Sequence, residues 1–145
     1  MLRLIFIFYF SFMFSVLAEE YFLTLRNDKV NLRLGPSFDY PIKIIYKKKN
    51  LPILVQDKSD NFRKIKDHEN NTGWIHISQL SKKKAGIIIN DEVYLLNKPT
   101  IYSKPIAKFE KGHLVLISKC KKIWCKIKTG EFSGWIEKKN IWGKL

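Results

Sequence analysis

The sequence predicts an all-β protein, an N-terminal signal peptide followed by two tandem small barrels, and three observations carry that prediction. First, Gly73-Trp74-Ile75-His76-Ile77-Ser78-Gln79-Leu80 returns sixty-one residues later as Gly134-Trp135-Ile136-Glu137-Lys138-Lys139-Asn140-Ile141, and a repeat of this length means two copies of one small unit. Second, apolar residues alternate in short runs cut by turn formers, and no segment keeps helical spacing over three turns. Third, Met1-Leu2-Arg3 leads into an apolar run of about fourteen residues that ends Val16-Leu17-Ala18, the build of a secretory signal rather than a membrane span. Cleavage is expected after Ala18, with an uncleaved anchor as the competing reading. Nothing further along is apolar for long enough to cross a bilayer.

The units are expected at 25–81 and 87–143. In the first, Tyr21 to Arg26 reads as extended and Asn27-Asp28 as a turn. Val30, Leu32 and Leu34 alternate with Asn31 and Arg33, the period of a strand with one buried face. Gly35-Pro36-Ser37 breaks it, and Phe38-Asp39-Tyr40-Pro41 reads as a loop carrying aromatics. Ile42, Ile44 and Tyr46 resume the alternation up to the lysine run 47–49. Leu51 to Gln56 is the next strand, Asp57 to Asn61 a polar turn, and Phe62 to Lys66 a strand before the turn formers of 67–72. His68, in that polar stretch, is expected to face solvent.

Residues 81–86 are polar but few, so the two units should be near neighbours in space. Ile87 to Ile89 and Val93 to Leu96 either begin the second unit or bridge the two. Thr100-Ile101-Tyr102-Ser103-Lys104-Pro105 answers Asn31-Leu32-Arg33-Leu34-Gly35-Pro36, weakly, and Trp124 to Lys128 answers Phe62 to Lys66. Leu32, Ile53, Val55, Ile65 and Ile75 should fill the first core, and Ile101, Val115, Ile117, Ile127 and Ile136 the second. Gly73 and Gly134 allow a bulge or close approach, and Trp74 and Trp135 should cover the open side of each core.

Val-Asn-Leu-Arg-x-Gly-Pro, alternating strands, an aromatic-x-x-Ile-Lys strand and then Gly-Trp-Ile-His-x-Ser-x-Leu together resemble a bacterial SH3-like (SH3b) domain. From Leu25 to Gly143 the chain is similar to exported tandem SH3-like proteins of Gram-negative bacteria, whose second unit carries a Cys-x-x-x-Trp-Cys-like turn and ends in Leu/Ile-Trp-Gly. The second unit departs from the pattern, with Glu137 where the first has His76. The resemblance implies a periplasmic, non-catalytic binding module for peptidoglycan stem peptides or an envelope protein partner. The rival is a scaffold subunit of an envelope enzyme complex that binds no glycan. By likeness to the closing motif of eukaryotic SH3 domains, His76 stands where a proline lines the peptide groove and Gln79 where a groove tyrosine would be.

Arg33, Phe38, Tyr40 and Trp74 are the other binding candidates, loop aromatics beside a base; Gly73, Ile75, Trp124, Gly134, Trp135 and Ile136 are read as structural. Cys120 and Cys125 flank four residues; a hairpin there sets them face to face, within reach of a disulfide, and export favours the bond. Two cysteines with no histidine nearby do not complete a zinc site, and neither a metal nor a cofactor is expected. The formal charge of +14 draws the protein to anionic surfaces. Only Arg3, Arg26, Arg33 and Arg63 among its twenty-seven basic residues are arginine, which argues against nucleic acid, whose sites favour the bidentate guanidinium. No phosphate-binding loop or nucleophile elbow occurs, so catalysis is not expected.

Overall fold

The computed structural model describes residues 18–145; the expected signal peptide lies outside these apart from Ala18. Seven strands form the first sheet: β1 (Tyr21–Leu25), β2 (Val30–Arg33), β3 (Ile42–Tyr46), β4 (Pro52–Ser59), β5 (Phe62–Lys66), β6 (Thr72–His76) and β7 (Leu80–Ser81). Seven more form the second: β8 (Ala85–Ile88), β9 (Val93–Leu96), β10 (Pro105–Phe109), β11 (Leu114–Lys121), β12 (Trp124–Thr129), β13 (Phe132–Glu137) and β14 (Ile141–Lys144). The strand orders, β3-β2-β6-β5-β4-β1-β7 and β10-β9-β13-β12-β11-β8-β14, are one pattern used twice. A short 3-10 turn precedes the last strand of each unit, Ile77–Gln79 in the first and Lys138–Asn140 in the second. The fold is all-β, two tandem SH3-like units.

Alternation explains the cores. In the first unit Leu32, Ile53, Val55, Ile65 and Ile75 are all buried together with Leu25, Val30 and Leu80, each apolar side chain stabilising the unit by about 2 kcal/mol. In the second, Val115, Ile117, Ile127 and Ile136 are buried as expected, but Ile101 is 66% exposed. Its expected place belongs to Leu95, fully buried on β9. The counterpart of Val30-Asn31-Leu32-Arg33 is therefore Val93-Tyr94-Leu95-Leu96, and the Thr100–Pro105 stretch corresponds instead to the aromatic loop.

Gly73 confirms this assignment by close approach. A Cβ there would lie 2.7 Å from Leu32 Cγ and 2.8 Å from the Arg33 carbonyl oxygen; one on Gly134 would lie 2.9 Å from Leu95 Cγ and 2.6 Å from the Leu96 carbonyl oxygen. Ile75 and Ile136 follow into the core. Trp74 and Trp135 point the other way, because successive side chains leave opposite faces of a strand. They sit half-buried on the outside of the sheet, opposite Lys64 and Lys126, rather than over the open side of the core.

Other local expectations also shift. β4 continues through Asp57–Ser59, so that turn shrinks to Asp60-Asn61, with Asp60 at φ 48. Cys120 and Cys125 are paired residues of β11 and β12 and are joined by a disulfide. The strands run past them to Lys121 and Trp124, leaving Lys122-Ile123 as the turn.

The units pack against each other. Ile87 lies in the first unit's core cluster with Leu114 against it. Phe22 of β1 meets Trp142 of β14 edge-on at 4.8 Å, and Lys144 Nζ donates to the Phe22 carbonyl at 3.3 Å. The buried Thr24 hydroxyl donates to the Lys83 carbonyl at 2.9 Å, tying down the connection. His68 is not free in solvent: its side chain is 23% exposed, its ring stands 6.4 Å from Trp142, and Nδ1 is buried without a partner.

Candidate functional site

Three side chains from three places in the chain converge on one shallow pocket of the first unit, about 420 Å³ in volume. Phe62 opens β5 and is paired with His76, the last residue of β6. The loop after β2 folds back to add Phe38. Ring centroids are 5.0 Å apart for Phe38 and His76, 5.2 Å for Phe38 and Phe62, and 5.1 Å for Phe62 and His76. Phe38 is 63% exposed and Phe62 buried, so the pocket has an exposed aromatic wall on a buried floor. Asp39 and Asp60 stand at the rim.

His76 is oriented by the 3-10 turn that it caps. Its Nδ1 accepts from the Ser78 backbone N–H at 3.2 Å and from the Ser78 hydroxyl at 2.7 Å. With Nδ1 an acceptor, the proton of the neutral ring sits on Nε2, which leaves a donor for a ligand. Arg33 holds the loop: Nη1 donates to the carbonyls of Phe38 at 3.1 Å and Tyr40 at 2.9 Å, and the guanidinium lies 5.3 Å from the Phe38 ring centroid. It positions Phe38 while presenting its remaining N–H groups outward.

The other candidates serve different places. Tyr40 lies over Gly35, where any Cβ would strike its ring. Trp74 shares the outer face with His76 and is paired with Arg33, but does not line the pocket. Gln79 is engaged in a seam between strands, its Oε1 accepting from the Asn31 N–H at 3.1 Å. Phe62, read from sequence only as a strand's apolar residue, belongs to the pocket; its pairing with His76 would have signalled this.

At the other end of the β5–β6 hairpin, Asp67 is a buried anchor that the sequence hid among turn formers. Its carboxylate accepts from the Tyr46 hydroxyl at 2.8 Å, the Asn71 side-chain amide at 2.9 Å, and the backbone N–H groups of Glu69 and Asn71 at 2.9 Å each. Burial, then the hydrogen bond to Asp67 and the charges of Asp67 and Glu69, push the Tyr46 hydroxyl far above its usual range. The phenol thus stays a donor. In the second unit His113 stacks on Phe109 at 4.8 Å, with Nε2 2.9 Å from the Thr129 hydroxyl. Burial and then the charge of Lys48, from the first unit, lower its pKa below the ordinary 6.5. Among the described residues, no group of three or more His, Cys, Asp or Glu side chains is placed to hold a metal ion, and no helix is long and apolar enough to cross a membrane.

The family model for the bacterial SH3 domain matches twice, over 26–82 and 90–143. The chain belongs to the bacterial SH3 domain family. These are binding domains, and both matched spans carry the same seven-strand pattern. No curated protein sequence matches the chain. Among solved structures it is similar to NlpC2 from Trichomonas vaginalis, at 12% identity and a TM-score of 0.39 over 87% of this chain and 49% of that one. It is also similar to an NlpC/P60 family protein from Bacillus cereus, at 10% identity and a TM-score of 0.38 over 84% of this chain and 56% of that one. The chain spans about half the length of these structures, and at such scores they add nothing to the family match.

Proposed function

We propose that this bacterial SH3 protein is an exported, non-catalytic binding module of the periplasm whose first unit recognises peptidoglycan stem peptides or an envelope protein partner. The observation that carries this reading is the Phe38, Phe62 and His76 pocket. It offers an exposed aromatic wall for an apolar side chain and, beside it, a ring N–H donor for a peptide carbonyl or carboxylate. The Arg33 guanidinium holds the loop that carries Phe38 and adds positive charge at its base, opposite in sign to Asp39 and Asp60 at the rim.

Titrating muropeptides into isotope-labelled protein lacking 1–18 tests this. The amides of Phe38, Phe62 and His76 should move together, and His76→Ala should weaken binding about ten-fold. Muropeptides that move none of these amides, with no recovery of the protein on sacculi, would refute the glycan arm. The tied connection at Thr24 and Lys83 supports the scaffold reading instead; crosslinking in intact cells to one dominant protein, without glycan, would select it.

A further inference from the structure

The second unit has its own groove at the same place on the fold, and a carboxylate stands there in place of the first unit's histidine. Backbone hydrogen bonds fix the correspondence. The bonds from Tyr40 N–H to Ser37 O and from Leu34 N–H to Pro41 O reappear as Ser103 N–H to Thr100 O and Asn97 N–H to Lys104 O. Ile101 therefore stands where Phe38 does. The pairing of Phe62 with His76 reappears as Trp124 with Glu137, and that of Arg33 with Trp74 as Leu96 with Trp135. An apolar wall and an aromatic floor are thus kept. His76 of the first pocket becomes the Glu137 carboxylate, and Arg33, which holds the first unit's loop, becomes the alkyl chain of Leu96.

The groove encloses about 480 Å³, and Ile101, Tyr94 and Trp124 line it together with Glu92 and Glu137. Ile101 and Tyr94 are 66% and 52% exposed, large apolar surface left open to solvent beside the half-buried Trp124. The Glu137 side chain is only 25% exposed, and its carboxylate pairs with Lys139 at 3.6 Å; Lys139 itself is 72% exposed. Glu92 is loosely paired with Lys108 at 4.0 Å. On a chain of net charge +14 the groove gathers Asp91, Glu92 and Glu137 beside one lysine, Lys139, and Glu137 and Glu92 are each paired with a lysine ammonium. The Glu137 carboxylate already pairs with an ammonium on an alkyl stem, supplied by the protein itself.

We propose that this groove is a second binding site, separate from the first unit's pocket, for a peptide that carries a primary amine on an unbranched alkyl stem. The stem lies along Ile101 and Trp124, and the ammonium displaces Lys139 from Glu137. Apolar contact supplies affinity, and the carboxylate selects against neutral and acidic side chains. The site does not rest on the first-unit reading: muropeptides that leave Phe38 and His76 unmoved would not touch it.

The test uses the chain lacking 1–18, labelled for amide and indole resonances, and three capped tripeptides, Ala-Lys-Ala, Ala-norleucine-Ala and Ala-(Nε-acetyl-lysine)-Ala. The lysine peptide should shift the Trp124 indole and the amides of 92–96 and 137–139, and bind about five-fold more tightly than either neutral peptide. Salt should weaken only the lysine peptide. Glu137→Gln should erase the preference. The second variant is Lys139→Ala, an exposed side chain, which should bind the lysine peptide about two-fold more tightly by removing the internal competitor. Equal binding of the lysine and norleucine peptides, shifts confined to Phe38, Phe62 and His76, no shift at all, or weaker binding by Lys139→Ala would each overturn the proposal.

Discussion

The two units share a strand order and a set of backbone hydrogen bonds, yet each reinforces its small core by different chemistry. In the first, Tyr46 ends β3 and donates to the buried Asp67, which gathers four hydrogen bonds. In the second, the residue paired with Val93 as Tyr46 is with Val30 is Phe109, which has no hydroxyl. That unit instead has the disulfide between Cys120 and Cys125, at the opposite end of its hairpin. Domains of about sixty residues bury only about 60% of their unfolded surface and are marginal on apolar contact alone. The pattern of strands is what the copies hold in common, while the supplementary tie is free to differ.

That contrast can be broken most sharply at Asp67. Asp67→Ala strips partners from the buried Tyr46 hydroxyl and from two backbone N–H groups, so the first unit should lose about 3 kcal/mol. Denaturant unfolding followed by amide resonances from each unit should show the loss in 21–81 before 85–144. Loss spread equally over both would mean that the packing at Phe22 and Trp142 makes them one cooperative body.

Replacing both cysteines by serine should act on the other side of the comparison and more weakly. A loop this short restricts the unfolded chain modestly, giving about 2 kcal/mol. Loss of stability on reduction should fall on the second unit and leave Asp67→Ala unaffected in its own increment. Additivity of the two changes would show the ties to be independent.

The smallest effect is a pH dependence at the junction. His113 has a folded pKa below its unfolded 6.5, so between those values the unfolded chain binds more protons and stability rises with pH. The contribution is complete above pH 6.5 and is lost as pH falls through the lowered value. Lys48→Ala should move the His113 titration back toward 6.5, which carbon-detected histidine resonances would read directly. An unchanged titration would mean that Lys48 and His113 are farther apart in solution than in this packing.

Much of the first unit was legible because its apolar positions alternate without ambiguity. Leu32 and Ile65 have polar neighbours on both sides, and Val55 and Ile75 on one, and their burial follows from the period of two. The second unit offered two apolar candidates for one strand, around Leu95 and around Ile101. Pattern alone favoured the stretch ending in proline. The choice falls to Leu95 because Gly134 lies against its side chain, a contact between residues far apart in sequence. The pocket is half visible for a similar reason: Phe38 is a candidate from local chemistry and His76 from the likeness to the SH3 closing motif, whereas Phe62 joins them only through strand pairing.

The sequence by itself determined that two copies of one strand pattern stand in tandem and that Cys120 and Cys125 are close enough to join, because alternation and short-range spacing are local properties of a chain. Only the tertiary structure decided which segment forms β9, that Asp67 is buried beneath Tyr46, and that His68 and Trp142 meet across the junction. Those outcomes depend on the free volume and the hydrogen-bond partners that distant strands leave available, and no window along the chain contains them.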